Sequence, residues 1–204
     1  MMVYQQSSPA LYWKLAIVGE ECRLHSEEAL AVGLKKKDPE VWARLYEEYF
    51  SRIYRYIAVR VGNRTEAEDL AERVFLKALE AGASFRWRGA PVSSWLFRIA
   101  RNVIIDHRRT DKGSRMVPLD DVVIAEGVNP HDVAVRRSDV SRVMTAVDGL
   151  SQAQREVIEL RFAGELSTKE VARVLGKSEG AVRVLQHNAL VALRKKLSGW
   201  DDGE

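Results

Sequence analysis

The sequence predicts an all-α protein made of two small helical domains joined by a flexible linker. Three observations carry this. Helix-start signals recur at Ser26, Asp38-Pro39, Thr65, Ser151, Ser167 and Ser178, while alternating strand patterns are scarce. Apolar residues recur at helical spacing behind these starts. Between Asp111 and Arg137 the helical period fails, and Gly113, Pro118, Gly127 and Pro130 punctuate the stretch. The chain therefore reads as an N-terminal arm over 1–25, a first domain over 26–112, a linker over 113–137, a second domain over 138–199 and a tail over 200–204.

In the first domain, Ser26 with Glu27 and Glu28 predicts a short helix to about Lys36, its acids near the positive end of the helix dipole. Asp38 before Pro39 is a cap followed by proline at the first helical position. Behind it Val41, Leu45, Tyr49, Ile53, Tyr56 and Ile57 repeat at helical spacing towards Gly62. Thr65 with Glu68 forms a capping-box pattern that predicts a third helix to about Leu79. Its buried side carries Leu70, Val74 and Ala78; its polar side carries Glu68, Asp69, Glu72, Arg73 and Lys77. A loop around Phe85 then leads into a helix from about Pro91.

That fourth helix holds the run SSWLFRIARNVIIDHRR, Ser93 to Arg109. On a helical projection Trp95, Leu96, Ile99, Ala100 and Val103 make a core face. Arg98, Arg101, Asn102, Arg108 and Arg109, with Ile105 among them, fall on the other side. Just before it, Phe85-Arg86-Trp87-Arg88 interleaves aromatic rings with guanidinium groups. Bases stack on aromatic rings and arginine planes, and guanidinium groups hold phosphates, so the two stretches together suit unstacked nucleic acid. A solvated arginine face beside a satellite aromatic cluster is the alternative at this point.

The second domain is closely punctuated. Ser138 opens a helix through Val147, and Gly149 ends it. Ser151 with Gln154 caps a helix to about Phe162, stopped by Gly164; Ser167 with Glu170 caps another, stopped by Gly176. Ser178 caps a long helix to about Leu197. The last two helices have helix-turn-helix spacing, with Val171, Ala172 and Leu175 expected to pack on Val182, Leu185 and Ala189. The second of them should present Glu179, Arg183, Gln186, His187 and Arg194 on its open face, residue types that read base edges in the major groove. Lys169, Arg173, Gln154 and Arg155 suit phosphate contacts. A hairpin used only for packing or protein contact is the competing reading.

Composition limits the alternatives. The hydrophobic share is 46% and the charged share 30%, enough for a real core, and the net charge is only +3, so any nucleic-acid footprint must come from local clustering. One cysteine, Cys22, excludes an internal disulfide framework and fits a reducing cytosol. No span approaches the roughly 18 apolar residues a membrane crossing needs. Leu11 to Val18 (LYWKLAIV), interrupted by Lys14, reads as an arm or a docking strip. The four histidines are dispersed and no Gly-rich phosphate loop follows a strand, so no metal, cofactor or enzymatic site is expected. Asp120, Asp121 and Glu126 make the linker locally acidic, which fits a solvated tether or a segment lying in a basic channel.

Together these residues resemble the extracytoplasmic-function group of bacterial RNA polymerase sigma factors, from about Ser26 to Leu197. The Glu66-Ala67-Glu68-Asp69-Leu70 run with Val74-Phe75-Leu76 resembles the region 2 helix that docks on the polymerase clamp. Trp95-Leu96, Ile99-Ala100-Arg101-Asn102, Asp106 and Arg109 resemble the promoter-melting helix. Ser167-Thr168-Lys169-Glu170-Val171-Ala172 and Gly180-Ala181-Val182-Arg183 resemble region 4.

The resemblance implies a cytoplasmic initiation subunit, not itself an enzyme, partnered by core RNA polymerase through its clamp and flap, by promoter DNA and by an anti-sigma factor. It implies that Phe85, Arg86, Trp87, Arg88, Arg98, Arg101, Asn102, Arg108 and Arg109 hold the −10 element. Arg155, Lys169, Arg173, Glu179, Arg183, Gln186 and His187 would hold the −35 element, and Glu68, Asp69, Glu72 and Phe75 would meet the polymerase. Arg73 stands where the family usually has an acid, and Asn188 where it often has arginine. A stand-alone helix-turn-helix regulator would account for Ser151 to Leu197 only; a helical protein-interaction adaptor would leave the basic faces merely solvated.

Overall fold

The computed structural model describes residues 27–110 and 140–201, apart from Arg88; the N-terminal arm, the linker, the start expected at Ser138 and the last three residues lie outside the described residues. Every element described is a helix. The first unit contains α1 (27–36), α2 (Pro39–Val61), α3 (Arg64–Gly82) and α4 (Val92–Thr110). The second contains α5 (140–148), α6 (Gln152–Ile158), α7 (Thr168–Leu175) and α8 (Glu179–Asp201).

Local chemistry sets most helix ends. Asp38 accepts the Glu40 N–H at 3.0 Å with Pro39 beginning the helix, and Gly62 closes α2 at φ 72, a left-handed conformation that favours glycine. Ser151–Gln154 and Ser167–Glu170 are complete capping boxes, and Ser178 accepts the Ala181 N–H at 3.1 Å. Gly176, at φ 65, makes the turn between α7 and α8.

The start of α3 differs from expectation. Asn63, held extended straight after the left-handed Gly62, accepts the Glu66 N–H at 3.1 Å and is the cap. Thr65 is therefore already helical, and Glu68 pairs with Arg64 at 3.1 Å. The helix also runs on to Gly82. A second difference lies after α6, where the chain widens into a π-turn over Glu159–Ala163, closed by the Gly164 N–H on the Glu159 carbonyl at 3.0 Å.

One apolar core runs through both units. Leu45, Ile53, Tyr56, Ile57, Leu70, Val74, Leu96, Phe97 and Ile104 are continuous with Val157, Leu160, Leu166, Val171 and Val182. Ala189 departs from the expected packing: it sits with Leu150 and Ile158 in a small separate cluster.

Candidate nucleic-acid interface

Helix α4 keeps its expected core face, with Leu96, Ala100 and Val103 buried and Trp95 and Ile99 partly so. Its other face is only partly covered. Phe97 is fully buried beside Tyr56, ring centroids 5.5 Å apart, and its ring also lies close to Gly164 of the second unit. The arginines expected to face solvent split accordingly. Arg98 donates to the Arg173 carbonyl at 2.9 Å, and Arg101 donates to both carboxylate oxygens of Glu156 at 3.2 and 3.4 Å. Arg108 turns back to the Arg60 carbonyl at 3.0 Å, and burial together with the nearby Arg60 charge lowers its pKa. Arg86, Arg98, Asn102, Arg108 and Arg109 are exposed, the hydrogen bonds of Arg98 and Arg108 notwithstanding. Phe85 packs on Trp95 at 4.6 Å, Trp87 is half-buried with its Nε1 shielded from solvent, and Arg88 lies outside the described residues.

At the centre of the seam between the units is an ion pair that sequence reasoning missed. Arg60 and Glu159 are 5% and 6% exposed, and the Arg60 Nε and Nη2 both reach Glu159 Oε2 at 2.5 Å. The Tyr56 ring lies 4.8 Å from the guanidinium carbon. Burial pushes the Glu159 carboxyl above the usual carboxylate range, opposed by Arg60, Arg108 and Arg155. A sequence signal did exist. Arg60 continues the stripe of Ile53, Tyr56 and Ile57, a helical position where an apolar side chain is the norm.

Polar links surround that pair. Arg52 donates to the Gly164 carbonyl through Nε and Nη2, at 3.1 and 3.0 Å, and to the Glu165 carbonyl at 3.0 Å. Arg55 pairs with the Glu165 carboxylate, and Ser93 donates to Glu170. Glu165 is held at φ 54, a left-handed backbone that a side chain with a Cβ rarely adopts. Arg173, expected on DNA, donates to the Gly89 carbonyl at 3.1 Å.

In the helix-turn-helix, Val182 and Leu185 join the core with Val171 and Ala172 as expected, Ala189 does not, and the side of α8 that bears Arg183 is outward. Arg183 has a side chain 71% exposed and meets Glu179 one turn earlier at 3.4 Å. Lys169 and His187 are exposed, whereas Gln186 is half-buried and accepts from Arg161 Nε at 3.1 Å. Arg155 is pinned to Asp148, Nη1 to Oδ1 at 3.1 Å.

On the opposite side of the first unit, Asp69 and Glu72 are exposed on α3. Phe75, expected to meet the polymerase, lies inside the first unit. It is buried against Tyr46 at 4.8 Å and Phe50 at 6.1 Å, and the exposed apolar groups beside it on the chain are Leu76 and Leu79. Among the described residues no helix is long and apolar enough to cross a membrane, and no cluster of His, Cys, Asp or Glu could hold a metal ion.

Residues 45–113 match the Sigma-70 region 2 family and residues 146–195 match Sigma-70 region 4. The chain is 36% identical over 162 residues to the ECF RNA polymerase sigma factor BldN of Streptomyces coelicolor, covering 78% of this chain and 61% of BldN. It is 31% identical to the ECF RNA polymerase sigma factor SigW of Bacillus subtilis, covering 80% of this chain and 92% of SigW. Its fold is similar to that of CnrH, solved in complex with the cytosolic domain of CnrY, with a TM-score of 0.64 at 22% identity and coverage of 85% and 97% of the two chains. It is also similar in fold to RpoE from Bartonella quintana, solved with the anti-sigma factor NepR, with a TM-score of 0.60, 22% identity and coverage of 76% and 96%. With both family regions present in order on the two helical units, the chain belongs to the ECF family of RNA polymerase sigma factors, the non-enzymatic subunits that direct polymerase to promoters.

Proposed function

We propose that this chain divides promoter recognition between its units, α4 and the preceding loop taking the opened −10 element and α8 reading the −35 element as duplex. The observation that carries the reading is the outward face of α8. Arg183 is exposed one turn beyond Glu179, on a helix whose Val182 and Leu185 pack inward, so its guanidinium can reach two acceptors of one guanine. Lys169, exposed in the first turn of α7, suits a phosphate.

For the −10 element, Arg86, Asn102 and Arg109 supply exposed polar groups, Phe85 and Trp87 supply rings, and Arg88, Arg98, Arg101 and Arg108 complete the set. Arg155 and Arg173 would join Lys169 on phosphates, and Gln186 and His187 would flank Arg183. Asp69 and Glu72, with Glu68 and the apolar groups around Phe75, would meet the polymerase clamp, and the flap would receive region 4. An anti-sigma protein completes the partners, supported by the fold shared with RpoE. The site of action is the cytoplasm, where polymerase and DNA are.

The test is transcription in vitro from genomic DNA by core polymerase with and without the full chain, with the 5′ ends of the transcripts sequenced. A shared pair of elements upstream of the new starts is expected. New starts that share no upstream element would overturn the reading. A chain that binds promoter DNA tightly without polymerase would behave as a stand-alone regulator.

A further inference from the structure

We propose that Val184 reads a base, its methyl groups packing on the 5-methyl of a thymine in the major groove, one base pair from the guanine assigned to Arg183. The inference deepens the promoter-binding reading above and rests on it, because it concerns the face of α8 that reading lays in the −35 duplex.

The helical repeat lays that face out in two rows. Residues four apart on a helix stand one above the other, and each side chain leans towards the N-terminal turn. Glu179 and Arg183 make one row, joined at 3.4 Å. Gly180 and Val184 make the next, about 100° further round the helix. Val182 and Ala189 are buried on the far side, so both rows leave the domain.

The second row is apolar and uncovered. Val184 is 59% exposed. A Cβ built on Gly180 would meet nothing nearer than the Ser178 hydroxyl oxygen at 4.0 Å, so the space over which Val184 leans is open. A single exposed apolar side chain is ordinary on a protein surface. The place of this one sets it apart: it stands in the second turn of α8, where a recognition helix meets base edges. Leu190 and Val191 are exposed too, but they stand about two turns further along, past the residues that reach bases.

The chemistry of the row selects one base. In the major groove thymine alone carries a methyl group, whereas the other three bases present polar edges. Valine has no donor or acceptor on its side chain, so an apolar contact is the only one it can make there. A cytosine at the same position would bury its amino group against the valine without a partner, which is unfavourable. Branching at Cβ fixes the valine in nearly one rotamer on a helix, so its methyl groups are presented without further ordering. Arg183 adds the complementary preference, since its guanidinium can bond guanine O6 and N7. Consecutive Cα atoms are about 3.8 Å apart and consecutive bases about 3.4 Å along the axis, so neighbouring residues suit neighbouring base pairs.

The experiment uses the full chain assembled with core polymerase, and duplexes carrying the −35 element recovered from the sequenced transcript starts. Each thymine of that element, on either strand, is replaced in turn by deoxyuridine, which removes the methyl and leaves the pairing unchanged. One replacement, next to the pair at which Arg183→Ala loses preference, should weaken wild-type binding about fourfold, the effect of uncovering one methyl group. Val184→Ala should weaken binding to the unmodified duplex and lose most of the response to that deoxyuridine, the coupling a double-mutant cycle detects. Val184→Thr, which keeps the branching and one methyl, should retain part of the response. The side chain is exposed, so both variants should fold, and circular dichroism checks that they do.

Wild-type binding that ignores every deoxyuridine overturns the proposal, as does an element with no thymine next to that pair. An equal methyl dependence in wild type and Val184→Ala overturns it as well. So does a loss from Val184→Ala that is the same for all duplexes, which would give the valine to a protein partner. Arg183→Ala is assayed alongside. If it changes base preference while no methyl dependence appears, only the Val184 inference falls. If neither variant changes binding to the −35 element, the reading of α8 as its reader falls too.

Discussion

Gly164 faces the ring of Phe97 so closely that a Cβ built on the glycine would lie 2.7 Å from Phe97 Cε1 and 2.8 Å from the Leu160 carbonyl oxygen. The contact joins the end of the π-turn to the middle of α4, and no side chain larger than hydrogen fits there without movement. Gly164→Ala should therefore destabilise the chain by about 1–3 kcal/mol, the usual range for overpacking. Phe97→Leu in that background should recover only part of the loss, since the Leu160 carbonyl remains in the way. Thermal unfolding of the two variants checks this, and full recovery would show that the ring is the sole obstacle.

Region 4 gives a prediction about specificity. Arg183→Ala should lose about 1–3 kcal/mol of preference at one base pair of the −35 element. Lys169→Ala should weaken all sequences evenly and lower the salt slope. Binding of holoenzyme to a library of −35 variants at two salt concentrations separates them. An even loss from Arg183→Ala would give that residue a positioning role and move base reading to Glu179, Gln186 or His187.

Trp87 is half-buried beside the entrance to α4. Trp87→Ala should weaken open-complex formation by the equivalent of about 1–3 kcal/mol, while Trp87→Phe, which keeps a stacking face, should lose less. Permanganate footprinting of the −10 region checks the order of the two. Equal effects would indicate that Trp87 supports the fold and holds no base.

Acid should act through Glu170. Burial raises its pKa, but hydrogen bonds from Ser167 and Ser93 outweigh that, and the net shift is downward. A carboxyl lowered in the folded state adds stability that is fully present above its unfolded pKa and is lost as pH falls through the lowered folded value. The wild type should therefore lose thermal stability more steeply than Glu170→Gln as pH falls below about 4.3, the ordinary glutamate value. Parallel profiles would mean that this carboxylate contributes nothing through its charge.

Most helix ends were legible because their causes are local. Asp38 with Pro39, Ser151 with Gln154, and Ser167 with Glu170 each place donor and acceptor within three residues. Thr65–Glu68 misled for the same local reason: Asn63 offered a competing oxygen nearer the left-handed glycine, and the pattern alone does not rank the two. The outer face of α4 was not legible. Arg101 and Phe97 take their partners from beyond the linker, and a helical projection shows only which side chains leave the axis together. The burial of Phe75 was not legible for a related reason, because its neighbours Tyr46 and Phe50 come from α2. The π-turn has no sequence period of its own, and so the reading carried α6 to Phe162 as ordinary helix.

Helix α4 begins at Val92, and the residue before it, Pro91, has no side-chain oxygen to cap it. The cap comes from α1 instead: the Glu27 carboxylate accepts the Val92 N–H at 2.9 Å across 65 positions of sequence. The helical unit therefore draws on residues that precede its family match, which begins at residue 45. A fragment cut there would lose the Leu34 packing and would present α4 with a bare first turn. Anyone isolating this domain should begin upstream of Glu27, or the first turn of α4 will be the first to fray.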